Sequence, residues 1–190
     1  MKLLTSTGLS SKDIFNIMPI LQQQKGWKTV CIIVSADSKE NKYMQLAKKQ
    51  FEELNFSKID FIDFFTQDIN TIEQYNLIYI AGGNTFKLLN SITLHNKGLE
   101  NLKDILIKKD VIGVSAGSII LTPTIRIASE IDPDKFININ SFKSLNIVPF
   151  EIYPHYEERF EEEINNYEQK YHTHVMRITD TGYLLLDGEF

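Results

Sequence analysis

Apolar runs of strand length alternate with helix-length amphipathic segments through most of this chain, and that alternation limits the fold more than any single residue does. Strand-like runs fall at 2–5, 29–35, 58–65, 76–81 and 111–114, the second rich in Val and Ile. Helical composition falls between them, at 12–24, 39–54, 85–94 and 99–109, with Pro19 inside the first segment. Strands that are apolar on both faces need cover on both sides, so the pattern predicts a three-layer α/β fold: a mostly parallel, twisted sheet with helices on both faces. In 39–54, Tyr43, Leu46, Ala47, Phe51 and Leu54 recur at helical spacing and predict the buried face, while Lys42, Lys48, Lys49, Glu52 and Glu53 take the others. Lys108 and Lys109 are expected in the last turn of their helix, facing the negative end of its dipole.

Beyond residue 118 the rhythm loosens. The stretch 119–146 carries Pro123 and Pro133 with little periodicity and is expected to be irregular and site-forming. A short strand at 151–153 follows, then a helix at 157–171 with Phe160, Ile164, Tyr167 and Tyr171 on one face. Its first turns hold Glu157, Glu158, Glu161, Glu162 and Glu163, read as a solvated helix start favoured by the dipole. Strand-like runs at 175–179 and 183–186, around Gly182, suggest a hairpin.

At 190 residues and 43% hydrophobic side chains, the chain has the size of one domain with a substantial core. A formal charge of −5 argues against nucleic acid or an anionic membrane as partner, since either needs a concentrated basic surface. Residues 1–10 have only Leu3 and Leu4 as an apolar centre, unlike a secretory signal, and no apolar run approaches the roughly 20 residues of a membrane span, so a cytoplasmic location is expected. Cys31 is the only cysteine, which excludes an internal disulfide and a multi-cysteine zinc site; within Val30-Cys31-Ile32-Ile33-Val34 it reads as an inert core residue.

Chemistry concentrates at Gly113-Val114-Ser115-Ala116-Gly117, a G-x-S-x-G pattern directly after a buried strand. The motif describes a strained strand-to-helix turn that lifts a serine hydroxyl out of the sheet, with glycines where side chains would strike neighbouring backbone. The plainer reading is a glycine-rich turn holding a small residue. The Ala116 amide, next to the serine, is placed to stabilise a developing oxyanion. Gly82-Gly83-Asn84-Thr85 marks another strand end, where ligands bind in open parallel sheets; its amides are candidates for the other half of an oxyanion hole, or it is an ordinary turn with Asn84 or Thr85 as helix cap. A serine hydroxyl needs a base, oriented by a third group. Of four histidines His155 is best placed, just past a short strand and stiffened by Pro154; His95, His172 and His174 read as solvated or packed, and His172-x-His174 lacks the accompanying ligands a metal site requires. Asp180 is the first choice for the orienting acid, because the strand before it is positioned to run beside the one leading to His155; Glu130 is the competing acid.

Taken together, Ile80-Ala81-Gly82-Gly83-Asn84-Thr85-Phe86-Lys87-Leu88-Leu89, Gly113-Val114-Ser115-Ala116-Gly117-Ser118, Pro123-Thr124-Ile125-Arg126 and Pro154-His155-Tyr156 resemble peptidase family S51, the dipeptidase E and cyanophycinase-like serine peptidases. The match in order and spacing spans about residues 76–180. The resemblance implies a flavodoxin-like, class I glutamine amidotransferase-like fold with serine in place of the elbow cysteine, and hydrolysis of short peptides through an acyl-enzyme without metal or other cofactor. It implies Ser115 as nucleophile, His155 as base, the amides of Gly83 and Ala116 as oxyanion donors, and Asn84, Thr85 and Arg126 as substrate-binding positions. Family members carry an acid after a late strand, often glutamate before glycine; Ile178-Thr179-Asp180-Thr181-Gly182 matches with aspartate, while Glu130 occupies the place of another acid found in dipeptidase relatives. A preference for N-terminal aspartate, implied by the name-giving relatives, needs a cation in the pocket; Arg126 is that cation or a structural ion-pair partner. The alternatives are another acyl hydrolase on the same elbow, esterase or cyanophycinase-like, and a non-catalytic member that binds a small ligand.

Overall fold

The computed structural model describes residues 1–131 and 139–188, so Pro133 of the irregular stretch lies outside the described residues. Its strands are β1 (Lys2–Thr5), β2 (Thr29–Ile33), β3 (Lys58–Ile62), β4 (Leu77–Ile80), β5 (Asp110–Val114), β6 (Glu151–Pro154), β7 (Val175–Ile178) and β8 (Tyr183–Leu186). Six of them form one sheet in the order β3-β2-β4-β5-β1-β8, parallel except for β8; β6 and β7 pair parallel in a sheet of their own.

The helices are α1 (Lys12–Lys25), α2 (Lys42–Glu53), α3 (Thr85–Thr93), α4 (Gly98–Ile107), α5 (Ala116–Ile119), α6 (Ala128–Ile131) and α7 (Glu161–Tyr171). Because side chains alternate across a strand, each central strand feeds two cores. Leu3, Val30, Ile32, Leu77, Tyr79 and Ile112 pack with Ile14 and Met18 of α1 and Met44 and Phe51 of α2. Leu4, Cys31, Ile33, Ile78, Ile80 and Val111 pack on the other face with Leu88 of α3, Leu102 and Leu106 of α4 and Ile119 of α5. These are the three layers the alternation predicts. Each large aliphatic or aromatic side chain so buried stabilises the fold by about 1.5–3 kcal/mol. Cys31 is fully buried, and desolvation pushes its thiol well above the ordinary range.

Several sequence expectations shift. In α2 the buried face is Met44, Ala47 and Phe51, whereas Tyr43 and Leu46 are exposed. The Asn41 side chain caps the helix by accepting from the Tyr43 amide, and Ala47, Phe51 and Leu54 are buried as the spacing predicts, with Met44 taking the place expected for Tyr43. Helix α4 ends at Ile107, so Lys108 and Lys109 lie past its last turn; Lys109 Nζ instead donates to the carbonyls of Glu73 and Tyr75. The expected hairpin does not form. Strand β8 pairs antiparallel with β1, with Leu184 opposite Leu4, while β7 pairs with β6. The free edge of β1 holds a row of unpaired backbone groups, and β8 satisfies it.

Nor is the acidic segment simply a solvated helix start. Residues Glu158–Phe160 form a 3-10 turn, α7 begins at Glu161, and Glu161 and Glu168 both grip Arg177 of β7 at 3.0–3.1 Å. The Arg177 guanidinium, with help from the Tyr156 hydroxyl, holds the Glu161 carboxyl below the usual range. Burial pushes Glu168 upward, but Arg177 and the Val175 amide outweigh it and hold it low as well. The buried Glu151 of β6 accepts from Tyr167 Oη at 2.6 Å and Thr124 Oγ1 at 2.7 Å. This network fastens α7 to the small sheet, which carries the next functional side chains.

The chain leaves β2 toward α2 on one face and β4 toward α3 on the other, a topological switch of the kind that opens a crevice at the carboxyl ends of strands. A cleft of about 670 Å³ lies there, walled by Ser6 and Thr7 after β1, Asp37 after β2, Gly82 and Gly83 after β4, and Ser115 after β5.

Candidate active site

Ser115 holds φ 49° and ψ −110°, a conformation that costs a residue with a Cβ about 1–3 kcal/mol. The surroundings impose it. The Ser115 amide donates to the Thr5 carbonyl at 2.8 Å, while the amides of Ser118 and Ile119 donate to the Ser115 carbonyl at 2.8 and 3.0 Å. Buried Ser118 locks the corner further, its hydroxyl donating to the Gly113 carbonyl at 2.7 Å and accepting from the Thr5 amide at 3.0 Å. The two flanking glycines are required by space: a methyl group at Gly113 would sit 2.5 Å from the Gly117 carbonyl oxygen, and one at Gly117 would strike that of Ile80. Both readings of the corner meet here, since it is a tight glycine turn and it also raises a hydroxyl into the cleft.

His155 also has a positive φ, 57°, immediately past β6. Its Nε2 lies 3.2 Å from Ser115 Oγ, and its Nδ1 lies 2.6 Å from Asp180 Oδ1. With Nδ1–H donating to the carboxylate, Nε2 carries the lone pair and accepts from the serine hydroxyl. The parallel pairing of β6 with β7, Pro154 opposite Ile178, brings the two strand ends together as the sequence expected. The side chains of His155 and Asp180 are 47% and 68% exposed, so water screens their attraction. Glu130 is exposed on α6, its charge felt by Lys170, and makes no hydrogen bond to His155 among the described residues.

Gly83, at φ 137°, turns its backbone close to the 36–37 segment; a methyl group there would stand 2.6 Å from the Ala36 carbonyl oxygen. Gly82 packs against the nucleophile corner, since a methyl group on it would lie 3.3 Å from Ser115 Cβ. The amides of Gly83 and Ala116 have no acceptor among the described residues. Thr85 lines the cleft, whereas Asn84 caps α3 by accepting from the Lys87 amide at 2.9 Å and is not part of the cleft wall. Arg126 lies elsewhere, its guanidinium 4.7 Å from the Phe142 ring and 4.8 Å from that of Tyr171. His95 Nε2 pairs with the Phe64 carbonyl and His174 with Glu168; among the described residues no three His, Cys, Asp or Glu side chains converge as metal ligands.

Sequence reading passed over Ser6. Its buried hydroxyl donates to the Ile178 carbonyl at 2.8 Å and accepts from the His155 amide at 2.9 Å, joining the strand that leads to Asp180 to the turn that bears His155. Thr7 adds a bond from its hydroxyl to the Asp180 carbonyl at 2.7 Å. The only local signal is a Ser-Thr pair just past an apolar strand, which marks a turn and not its tertiary partners.

A doubly wound sheet with a hydrogen-bonded serine, histidine and aspartate at a strained strand-to-helix corner has the form of an α/β hydrolase. The chain belongs to peptidase family S51, whose family model matches residues 2–190. An uncharacterized peptidase of Listeria monocytogenes, Lmo0363, is 30% identical over 154 residues, covering 77% of this chain and 75% of its own. Peptidase E of Nostoc is 34% identical over 118 residues, 60% of this chain and 46% of that protein. Among solved structures, that of a Peptidase E candidate from Listeria monocytogenes EGD-e superposes with TM-score 0.76 at 26% identity, covering 100% of this chain and 95% of the other. A peptidase from an acI-B1 actinobacterium shares the fold, with TM-score 0.65 at 18% identity over 96% and 81% of the two chains. This protein is accordingly a peptidase of the hydrolase class. Among the described residues no helix is long and apolar enough to cross a membrane.

Proposed function

We propose that this protein is a serine peptidase that hydrolyses short peptides through an acyl-enzyme on Ser115. The observation that carries the reading is the continuous hydrogen-bonded line from Ser115 Oγ through the His155 ring to Asp180 Oδ1. In the first step Oγ bonds to the peptide carbonyl carbon while its proton passes to His155 Nε2. The tetrahedral oxyanion then faces the Gly83 and Ala116 amides, donors without an acceptor among the described residues. Its collapse breaks the C–N bond, and His155 returns the proton to the leaving amine. Water repeats the sequence: His155 takes its proton, hydroxide adds to the ester carbon, and Ser115 leaves as the alcohol. No step calls for a metal. Relatives named Peptidase E support a peptide as the acyl donor, and the size of the cleft suits a few residues.

The direct test is covalent capture. Treatment with a small fluorophosphonate followed by peptide mapping is expected to give one adduct, on Ser115, with loss of the ability to hydrolyse dipeptides; an unmodified Ser115 under conditions that label a control serine hydrolase would falsify the reading.

A second expectation concerns Ser6 as a positioning residue. Ser6→Ala removes the bond to the Ile178 carbonyl and leaves the His155 amide without its acceptor, so it should lower kcat roughly tenfold with KM little changed. A purely structural role would instead reduce the fraction of active enzyme and leave the kcat of titrated sites intact. Ser6→Thr, which keeps the hydroxyl, should recover much of the loss in steady-state assays normalised to fluorophosphonate-reactive sites.

A further inference from the structure

Asp180 stands at a bend past the end of β7 with its side chain largely in water, so neither strand pairing nor a packed core fixes it. Its main chain is held from the turn after β1 instead. Three hydroxyls of that turn donate to the segment that bears Asp180: Ser6 to the Ile178 carbonyl at 2.8 Å, Thr7 to the Asp180 carbonyl at 2.7 Å and Ser11 to the Thr181 carbonyl at 3.3 Å. Among the described residues the Thr7 bond is the only hydrogen bond to the Asp180 main chain. From these observations, and resting on the proposed peptidase reading, we infer that Thr7 is a positioning residue for the acid: its hydroxyl holds the Asp180 backbone where Oδ1 meets His155 Nδ1.

A clamp positions its partner only if it is itself fixed. This turn is fixed to the sheet and to α2: the Gly8 amide donates to Thr5 Oγ1 at 2.7 Å, and Gln50 Nε2 donates to the Leu9 carbonyl at 2.8 Å. The buried Tyr79 of β4 adds a hydrogen bond between its hydroxyl and the Leu9 main chain. The Thr5 carbonyl, two residues before Thr7, accepts the Ser115 amide at 2.8 Å, so the clamp on the acid and the corner that bears the nucleophile share one support. Threonine suits the task, because its β-branch restricts χ1 and keeps the hydroxyl aimed once the backbone is set. Exposure makes the bond matter more for turnover than for folding. Water can replace Thr7 as donor to the Asp180 carbonyl with little loss of stability, but a mobile water does not dictate where that backbone stands.

The test is a double-mutant cycle on dipeptide hydrolysis, with kcat normalised to fluorophosphonate-reactive sites so that only folded enzyme is counted. Thr7→Val keeps the shape of the side chain and removes the hydroxyl; it should lower kcat about tenfold with KM changed less than about twofold, and Thr7→Ser should restore kcat to within about threefold of the wild type. Against Asp180→Ala, where the carboxylate is already gone, Thr7→Val should cost less than about twofold more. The same loss in both backgrounds makes Thr7 a structural residue, a rise in KM alone assigns it to substrate binding, and a serine variant as slow as the valine variant excludes the hydroxyl as the cause. Each of these overturns the inference, as does a kcat left unchanged by Thr7→Val or by Asp180→Ala. Thr7→Ala carries the same expectations should the valine variant give no reactive sites. Absence of fluorophosphonate labelling in the wild type overturns the peptidase reading instead, so the two failures are distinguishable.

Discussion

Ser115→Ala is expected to lower kcat/KM on the best peptide substrate by about 10⁶-fold and to abolish fluorophosphonate labelling. Nothing else in the cleft replaces the lost nucleophile. Cys31 is fully buried in the core with its thiol held protonated, and Ser118, the nearest other hydroxyl of the corner, is buried and bonded to the Gly113 carbonyl and the Thr5 amide. The residual rate then reports what the oxyanion donors and binding achieve with water alone. A companion substitution separates chemistry from strain. Alanine keeps a Cβ at φ 49° and ψ −110° and so keeps the conformational cost, whereas Ser115→Gly removes it. Both variants should be equally inactive, but the glycine variant should unfold a few degrees higher than the alanine variant, since about 1 kcal/mol shifts the midpoint of a chain this size by about 2–4 °C. Equal midpoints in differential scanning calorimetry would show that the corner is not strained.

The second large effect is expected at the acid. A triad aspartate changed to asparagine in a buried setting costs about 10⁴-fold in kcat, because the histidine is left in the wrong tautomer. Asp180 is 68% exposed, and water can take over part of its acceptor role, so Asp180→Asn should cost closer to 10²-fold, with KM nearly unchanged. Glu130→Gln should alter kcat less than threefold, because that carboxylate is exposed and has no bond to His155 among the described residues. The pair of variants, assayed together, decides between two acids that sequence reasoning left open. A larger loss from Glu130→Gln than from Asp180→Asn would mean that the acid acting on His155 during turnover is Glu130.

These expectations draw unequally on sequence and structure. The alternation of apolar runs with amphipathic segments was sufficient for the layers, because a strand apolar on both faces has few ways to be buried. The kinked corner at Ser115 was legible too, since its glycines and serine act within five residues and the steric reason for each is local. The edges of the buried stripe of α2 were not, because Tyr43, Met44 and Leu46 are all able to be buried and only packing against the sheet selects Met44. The hairpin expected after Gly182 failed for a related reason: β7 and β8 each had a free strand edge available elsewhere, and edge pairing is decided by what stands beside the strand.

The chain's own order of residues determined that a hydroxyl would be raised on a kinked turn at the end of a buried strand, because that outcome depends on backbone sterics over a few positions. Only the tertiary structure decided which carboxylate meets His155, that Ser6 joins the two arms bearing them, and that Arg126 spends its charge on aromatic rings while Asp37 faces the cleft. Those choices turn on which strand ends lie side by side, and residues 6, 37, 155 and 180 come to line one cleft only once the sheet has assembled.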